Sequence, residues 1–537
     1  MLRKHLFVTT ARPFNFALRS YSIHSVDASV LDFTKRNAII SKNLSHYYPS
    51  LSNVQGHANL VSLGEFLRSF RTISTDQPHL RTTVRGRIHS IRYLGKNMCF
   101  IDLTTTSASL QLILNYNLLK KHSSASTLSS EEFFQHIHGL KPGDHIQATG
   151  FPGLSQREKT LSLKCTSQTT VLSPAQLPLP PKLIDPIKRK QNRVVDYLVN
   201  GHTSLVQRHR IIRSLRQFLD SQEFIEVETP ILSGKSNGAA AEPFVTRSKS
   251  LDTNLELRVA PELWLKRLCV GGIDRVYEIG KVFRNEGIDA THNQEFTTLE
   301  FYQSYTSMEE LIQLSEQLLK HVISNIEPTP ISLELSSKLE QNGWKFKRVE
   351  FLPTLSQETG IDFTALDIDN PSCLLAALGE RGITVPSSLS TSPQQILNKL
   401  CAEFIENRHC NDLLPTVIYH HPAVMSPLAK GNPGDGMLTT KRFEIFIRGK
   451  EYINAYEEEN CPQTQLDKFE LQNLARQRYG DKESLPVDTA YVNAMKWGMP
   501  PIGGFGLGID RLCMLLLGKQ RIEEVLSFGC VDDVNRQ

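Results

Sequence analysis

Between Arg275 and Tyr302 two strand-like runs flank a polar loop, which commits this stretch to an antiparallel hairpin. Arg275–Arg284 is rich in β-branched and aromatic residues, the composition of a strand. Downstream, Phe296, Thr298, Glu300 and Tyr302 recur at period two and are predicted to share one face. The polar Asn285–Gln294 segment reads as the loop, with Arg284 at its mouth. A guanidinium there, with carboxylates along the floor, suits a substrate bearing both phosphate and amine.

Two later segments carry complementary chemistry. Phe443–Glu458 reads as two strands around a turn at Arg448–Lys450, with Asn454, Tyr456 and Glu458 on one face. Glu444 and Glu451 lie on opposite arms, so folding the hairpin can bring both carboxylates onto one divalent ion. Hard oxygen ligands that also see triphosphate oxygens imply Mg²⁺. Standing alone, this segment reads first as a solvated acidic hairpin. In Gly503–Leu517 a glycine-rich strand turns into an apolar helix opened by Arg511. Guanidinium and helix N-terminus both favour phosphate. By itself that turn is a weak signal, although no Walker-type Gly-Lys-Ser/Thr competes with it.

The run Gly287-Ile-Asp-Ala-Thr-His292-Asn-Gln-Glu-Phe-Thr-Thr-Leu-Glu300-Phe-Tyr302 resembles motif 2 of the class II aminoacyl-tRNA synthetases, in the form carried by lysyl-tRNA synthetases. Sister enzymes for aspartate or asparagine have a different loop. Gln294 stands where the family usually has proline, a change expected to loosen the loop. The helix Leu205–Leu219 and the strand Phe224–Ile231 resemble motif 1, which builds the family's dimer interface; an ordinary helix and edge strand is the plain alternative. Gly503–Leu517 resembles motif 3. The resemblance covers nearly everything after residue 80. It implies an α+β fold: a class II synthetase antiparallel sheet flanked by helices, with an N-terminal five-stranded OB-fold barrel.

The same resemblance implies roles. Arg284 would hold the ATP α-phosphate and the lysine carboxylate, the latter with Asn454. Glu286, His292 and Asn293 would position the nucleotide, Phe296 would stack on adenine, and Arg511 would hold the far phosphate. Glu444 and Glu451 would bind Mg²⁺. The α-amine would meet Glu300 and the backbone at Gly238. The ε-ammonium would meet Glu262, Glu458 and the Tyr302 hydroxyl, with Tyr456 along the methylene stem. Two carboxylates on one ammonium discriminate against uncharged or acidic amino acids.

From Thr82 the pattern shifts to five short strands, at Thr83–Arg92, Cys99–Leu103, Leu110–Leu114, Asp144–Gly150 and Leu161–Cys165. Gly86, Gly95 and Gly150 sit at bends or turns, and a polar helix precedes the fourth strand, which predicts an OB-fold barrel. Arg92, Phe100 and Gln111 match the family's anticodon readers, an aromatic to stack a splayed base and polar groups to read its edge. Phe100 as barrel core is the competing reading. Thr160 stands where the family uses a glutamate, with Glu158 two positions away, so reading of one anticodon base is in doubt. The expected organisation is a transit segment 1–26, a helical extension 27–75, an OB domain 76–173, a proline-stiffened linker 174–195, and a catalytic domain 196–537. Within the last, about 306–420 is a helical insertion with no catalytic groups.

At 537 residues the chain exceeds one core. Residues 1–26 hold Arg3, Lys4, Arg12 and Arg19 and no acid, a mitochondrial transit composition, with a disordered basic tail as the alternative. Residues 81–170 hold 11 Lys+Arg against 5 Asp+Glu, a basic module fit for RNA. The nine cysteines are scattered. Cys401 and Cys410 beside His409 come nearest to a metal cluster, and inert thiols are the expectation. No apolar run has spanning length. The expectation is a homodimeric, ATP- and Mg²⁺-dependent ligase of the mitochondrial matrix with no membrane contact. It would convert L-lysine to lysyl-adenylate and pass lysine to the 3′ end of tRNA(Lys). A sister tRNA ligase and a catalytically silent RNA-binding paralogue are the rivals. The acidic pocket disfavours the first, and retention of Arg284 and Arg511 the second.

Overall fold

The computed structural model describes residues 28–54, 59–122, 128–234, 238–239, 241–386, 392–480 and 487–529. The expected transit segment lies outside them. The chain forms two units, one of Met1–Leu183 with Leu198–Asn200, the other of Ile184–Tyr197 with Gly201–Gln537.

In the first unit the strands are β1 (Thr82–Leu94), β2 (Met98–Thr104), β3 (Ser109–Asn115), β4 (His145–Leu154), β5 (Leu161–Cys165) and β6 (Thr170–Ser173). Pairing runs β1–β2–β3–β5–β4 and returns to β1, so the ladder closes on itself and β6 joins outside β4. This is the OB arrangement, with one strand more than the sequence suggests. Apolar residues at period two fill the interior, among them Val84, Ile88, Ile101, Leu112 and Leu163, and Leu63 and Phe66 of the helix Leu63–Ser69 pack against it. Gly150 permits a close crossing: a Cβ there would stand 2.1 Å from the Lys164 carbonyl oxygen. The helix Ser130–Gly139 opens on a capping box of Ser129 and Glu132.

The second unit is built from β7 (Ile225–Glu226), β8 (Leu232–Ser233), β9 (Val245–Ser248), β10 (Thr253–Leu257), β11 (Arg275–Phe283), β12 (Glu295–Ser304), β13 (Lys347–Glu350), β14 (Thr416–Tyr419), β15 (Arg442–Ile447), β16 (Lys450–Glu457) and β17 (Ile502–Gly508). Eight of them form one sheet in the order β13-β14-β15-β16-β17-β12-β11-β7; the rest form a small sheet, β8-β10-β9. Only the end pairs β11–β7 and β13–β14 are parallel. Strand alternation divides the labour. Tyr277, Leu299, Phe301, Ile445, Ala455, Phe505 and Leu507 face a core shared with the helices Thr203–Ser221, Met308–Ser324 and Ile509–Leu516. Of the intervening residues, Thr298, Glu300, Asn454, Tyr456 and Gly506 line a cavity.

Three expectations are corrected. The strand read as Phe224–Ile231 is reduced to β7. Val227 N–H still bonds the Tyr277 carbonyl at 2.9 Å, but Thr229 is drawn to Glu278 and Pro230 has no N–H to give. The stretch read as linker to 195 becomes helical at Pro186–Gln191, where Asp185 caps the first turn with Pro186 at its first position, and at Arg193–Asn200. The 306–420 region is not one helical insertion. The helices Met308–Ser324 and Pro330–Gln341 belong to the main core, β13 and β14 extend the sheet, and a separate apolar cluster gathers around Phe351, Leu374, Ile396 and Phe404. Cys401 and Cys410 are buried, and His409 bonds Glu358 at 2.9 Å.

Candidate active site

A cavity of about 590 Å³ opens on the polar face of the sheet, with β11, β12 and their loop at one side and β15–β17 at the other. Fifteen residues expected at a substrate site line it: Gly238, Glu262, Arg284, Glu286, His292, Asn293, Phe296, Glu300, Tyr302, Glu444, Glu451, Asn454, Tyr456, Glu458 and Arg511.

Arg284 lies with its guanidinium 5.3 Å from the Phe296 ring centre and its Nε directed at the Val259 carbonyl oxygen, 3.4 Å away. Arg511 sits in the first turn of Ile509–Leu516; it donates to the Glu451 carbonyl oxygen at 2.9 Å and reaches His292 Nε2 at 2.5 Å. The other ring nitrogen of His292 meets Asp289 at 2.8 Å, so the loop is held onto the arginine. Gln294 bridges this loop: its amide donates to the Glu286 carbonyl oxygen at 2.9 Å, and its own carbonyl accepts from the Arg284 N–H.

Glu444 and Glu451 reach the same cavity through a β-bulge. The register of β15 with β16 shifts between Ile445 and Phe446, turning both Tyr452 and Ile453 into the core and Glu451 toward Glu444. Against burial, which alone would raise it, Arg442 at 2.6 Å and His421 at 3.3 Å hold the Glu444 carboxyl down to about 2. Burial and the Glu444 charge push Glu451 up to about 7, against the pull of Arg511, Arg442 and Arg284. Two half-buried carboxylates of which one resists ionising suit a divalent cation. Among the described residues no group of three His, Cys, Asp or Glu could hold a metal, so such an ion would draw its remaining ligands from a nucleotide and water.

Burial, then the Glu262 charge, raises the Glu300 carboxyl to about 8 although Arg284 opposes it. Tyr302 donates its hydroxyl to Glu300 at 3.3 Å. Tyr456 donates to Glu262. Gly238 adopts a φ of +101°, and a side chain there would press on the Glu262 Cβ at 3.2 Å. Asn454 accepts from Arg442 at 3.1 Å.

Sequence reasoning overlooked several residues. Lys266, one helical turn beyond Glu262, forms ion pairs with both Glu262 and Glu458 from behind; the i, i+4 spacing was the available signal. Arg442 and His421, which hold Glu444, gave none. Gln394 and Asn398 line the cavity from the region read as carrying no chemistry.

In the first unit, Arg92 on β1 lies opposite Phe100 on β2, and Asp102 lies opposite Gln111 on β3. Cys99, Ile101 and Leu103 point into the barrel, so alternation turns Phe100 and Asp102 to its outer face. Arg92 donates to Asp102 at 3.3 Å, and Gln111 accepts from Ser162 at 3.1 Å. Thr160 is exposed, its N–H bonded to the Ser155 hydroxyl at 3.0 Å.

Residues 186–531 match the family described as tRNA synthetases class II (D, K and N), and residues 82–171 match the OB-fold nucleic acid binding domain. The chain is 52% identical over 556 residues to the mitochondrial lysine--tRNA ligase of Saccharomyces cerevisiae, covering 97% of this chain and 96% of that protein. It is 36% identical over 507 residues to the mitochondrial lysine--tRNA ligase of Schizosaccharomyces pombe, covering 93% of each. With the lysine--tRNA ligase of Lactococcus lactis subsp. lactis it shares 39% over 458 residues, 83% of this chain and 87% of the relative. A sheet with one polar face, a nucleotide-sized cavity flanked by two arginines, and these matches across nearly the whole length lead to one placement: the chain belongs to the class II tRNA synthetases, among the lysine--tRNA ligases.

Proposed function

We propose that the protein activates L-lysine with ATP and transfers it to the 3′ end of tRNA(Lys) for mitochondrial translation, in the matrix. The observation that carries this reading is one cavity lined both by Arg284 and Arg511 and by Glu262, Glu300 and Glu458. Joining a carboxylate to an α-phosphate brings two anions together and gathers negative charge on phosphorus. Preorganised guanidinium groups offset that charge, and in-line placement supplies much of the remaining acceleration. Arg284 meets both the α-phosphate and the lysine carboxylate, with Asn454 on the latter. Arg511 and His292 hold the far phosphate, Glu286 and Asn293 position the nucleotide, and Phe296 stacks on adenine. Glu300 and the Gly238 backbone take the α-amine, Glu262 and Glu458 the ε-ammonium, and Tyr456 the stem. Glu444 and Glu451 would hold Mg²⁺, which would offset triphosphate charge when bound. The lysine carboxylate attacks the α-phosphate and pyrophosphate leaves; the terminal ribose hydroxyl of the tRNA then attacks the carbonyl and AMP leaves.

The OB unit, residues 76–173, binds the anticodon through Arg92, Phe100 and Gln111. A homodimer is supported by the exposed apolar side chains of Ile225, Ile231 and Leu232 beside the motif 1 helix. Residues 1–26 serve as the transit segment. The test is lysine-dependent ATP–pyrophosphate exchange. The wild type is expected to exchange with lysine alone among the amino acids, and Arg284→Ala or Arg511→Ala to abolish exchange without unfolding. Unchanged exchange in either variant would refute the assignment.

A further inference from the structure

Lys266 is fully buried and lies outside the cavity lining, on the rear side of the two carboxylates that face the substrate. Its ammonium is 2.5 Å from Glu262 Oε1 and forms an ion pair with Glu458 Oε2 as well. The rings of Tyr302 and Tyr456 flank it, with centroids 5.9 and 5.3 Å away. The other groups facing it, the Tyr491 phenol and the Cys269 thiol, are kept neutral because burial raises both. Burial also opposes a charge on Lys266 itself, but the two carboxylates outweigh it and hold the ammonium protonated.

We propose that Lys266 is a positioning and specificity-determining residue: it is the resident counter-ion of the Glu262–Glu458 pair, and leaves room in the charge count for one further ammonium. This inference rests on the lysine-activating function proposed above. With the pocket empty, Glu262 and Glu458 face one ammonium, and burial, with the neighbouring Glu262 charge, favours a proton on Glu458 against the pull of Lys266. The substrate's ε-ammonium makes the count two against two. An uncharged side chain offers the second carboxyl no cation, and an acidic one adds negative charge to a buried site, so both are rejected. The resident cation also keeps two carboxylates aimed at one point that would otherwise repel each other apart. Glu458 has nowhere to retreat, since Gly504 lies against its other oxygen with no room for even a methyl group.

The charge count makes a prediction that packing alone does not. In Glu458→Gln the resident ammonium and the incoming one share a single carboxylate, and a buried positive charge is left over. In Lys266→Met with Glu458→Gln, one carboxylate faces one ammonium and the count closes again. Exchange assays with lysine varied and ATP saturating should show kcat/KM for lysine falling about a hundredfold or more in Glu458→Gln. Adding Lys266→Met to that variant should recover about tenfold or more, with KM for ATP unchanged throughout. Lys266→Met alone should lose lysine affinity but not ATP affinity. If the double variant is as impaired as Glu458→Gln or worse, Lys266 is only a packing residue and the proposal fails. A double variant that does not fold while Glu458→Gln does also overturns it, because a balanced pocket needs no resident ammonium. Failure of the wild type to exchange with lysine would instead strike the functional reading.

Discussion

Gly504→Ala isolates the proposed lysine-binding part of the cavity from the rest of the fold. A Cβ at Gly504 would stand 2.1 Å from Glu458 Oε1 and 2.6 Å from the Tyr302 ring, while ordinary contact begins at 3.4 Å. The carboxylate oxygen would have to retreat by about 1.3 Å to restore that distance. A solvent-exposed glutamate could do so cheaply; this one is buried and tethered to Lys266, and Tyr302 is 3% exposed. Overpacking of this kind costs about 1–3 kcal/mol, and a misplacement of about 1 Å at a reacting centre costs roughly a hundredfold in rate. The expected outcome is a KM for lysine raised by about two orders of magnitude, with KM for ATP within about twofold of wild type. Exchange assays and thermal melts would be run side by side. Gly503→Ala is the control: its Cβ would meet Leu311 at 2.9 Å on the core face, so it should lower the melting temperature and leave KM for lysine unchanged. A Gly504→Ala enzyme with normal lysine KM would refute the assignment of this face to the amino acid.

Glu300 should impose a pH dependence. Its carboxyl, raised from 4.5 to about 8 in the empty protein, keeps its proton at pH 7 and must lose it to meet the α-ammonium. KM for lysine should therefore fall as pH rises from 6 to 8, by up to about tenfold per unit, and flatten above; Glu300→Gln should lose this limb, and a flat wild-type profile would exclude it. The same sign governs stability: the raised carboxyl favours the folded state while protonated, and that contribution is lost as pH rises from 4.5 to about 8. Lysine should thus raise the melting temperature more at pH 8 than at pH 6. Removal of the loop bridge by Gln294→Ala should raise KM for ATP about two- to fivefold, since one exposed hydrogen bond is worth about 0.5–1.5 kcal/mol; Gln294→Pro should be nearly silent. Asp510 joins Arg208 at 2.5 Å and accepts from the Thr297 N–H at 2.8 Å, tying three elements together beside Arg511. Asp510→Asn takes the carboxylate from that largely buried guanidinium, leaves it the Thr297 hydroxyl at 3.2 Å, and should cost about 1–3 kcal/mol in urea unfolding.

What could be read from the sequence follows from how local each signal is. Period-two alternation is a property of a few consecutive residues, so the shared face of Phe296, Thr298, Glu300 and Tyr302 was legible before any fold was known, and so was the barrel's strand pattern. Boundaries were less legible because tertiary partners set them. Phe224–Ile231 has strand composition, yet its extent depends on Glu278 capturing Thr229 forty-nine positions away. The 306–420 region reads as uniformly helical because β13 and β14 are four residues each, too short to outweigh the helices around them. The bridge made by Gln294 is not legible because the backbone oxygen it bonds is invisible to any motif. The acidic hairpin shows the limit most clearly. Regular alternation places Asn454, Tyr456 and Glu458 together and sends Glu451 to the opposite face; only the one-residue slip opposite Ile445 and Phe446 returns it to Glu444. A bulge leaves no mark on composition or periodicity, because what it changes is register. Yet that slip is what turns two ordinary acidic residues into a paired site on the cavity wall.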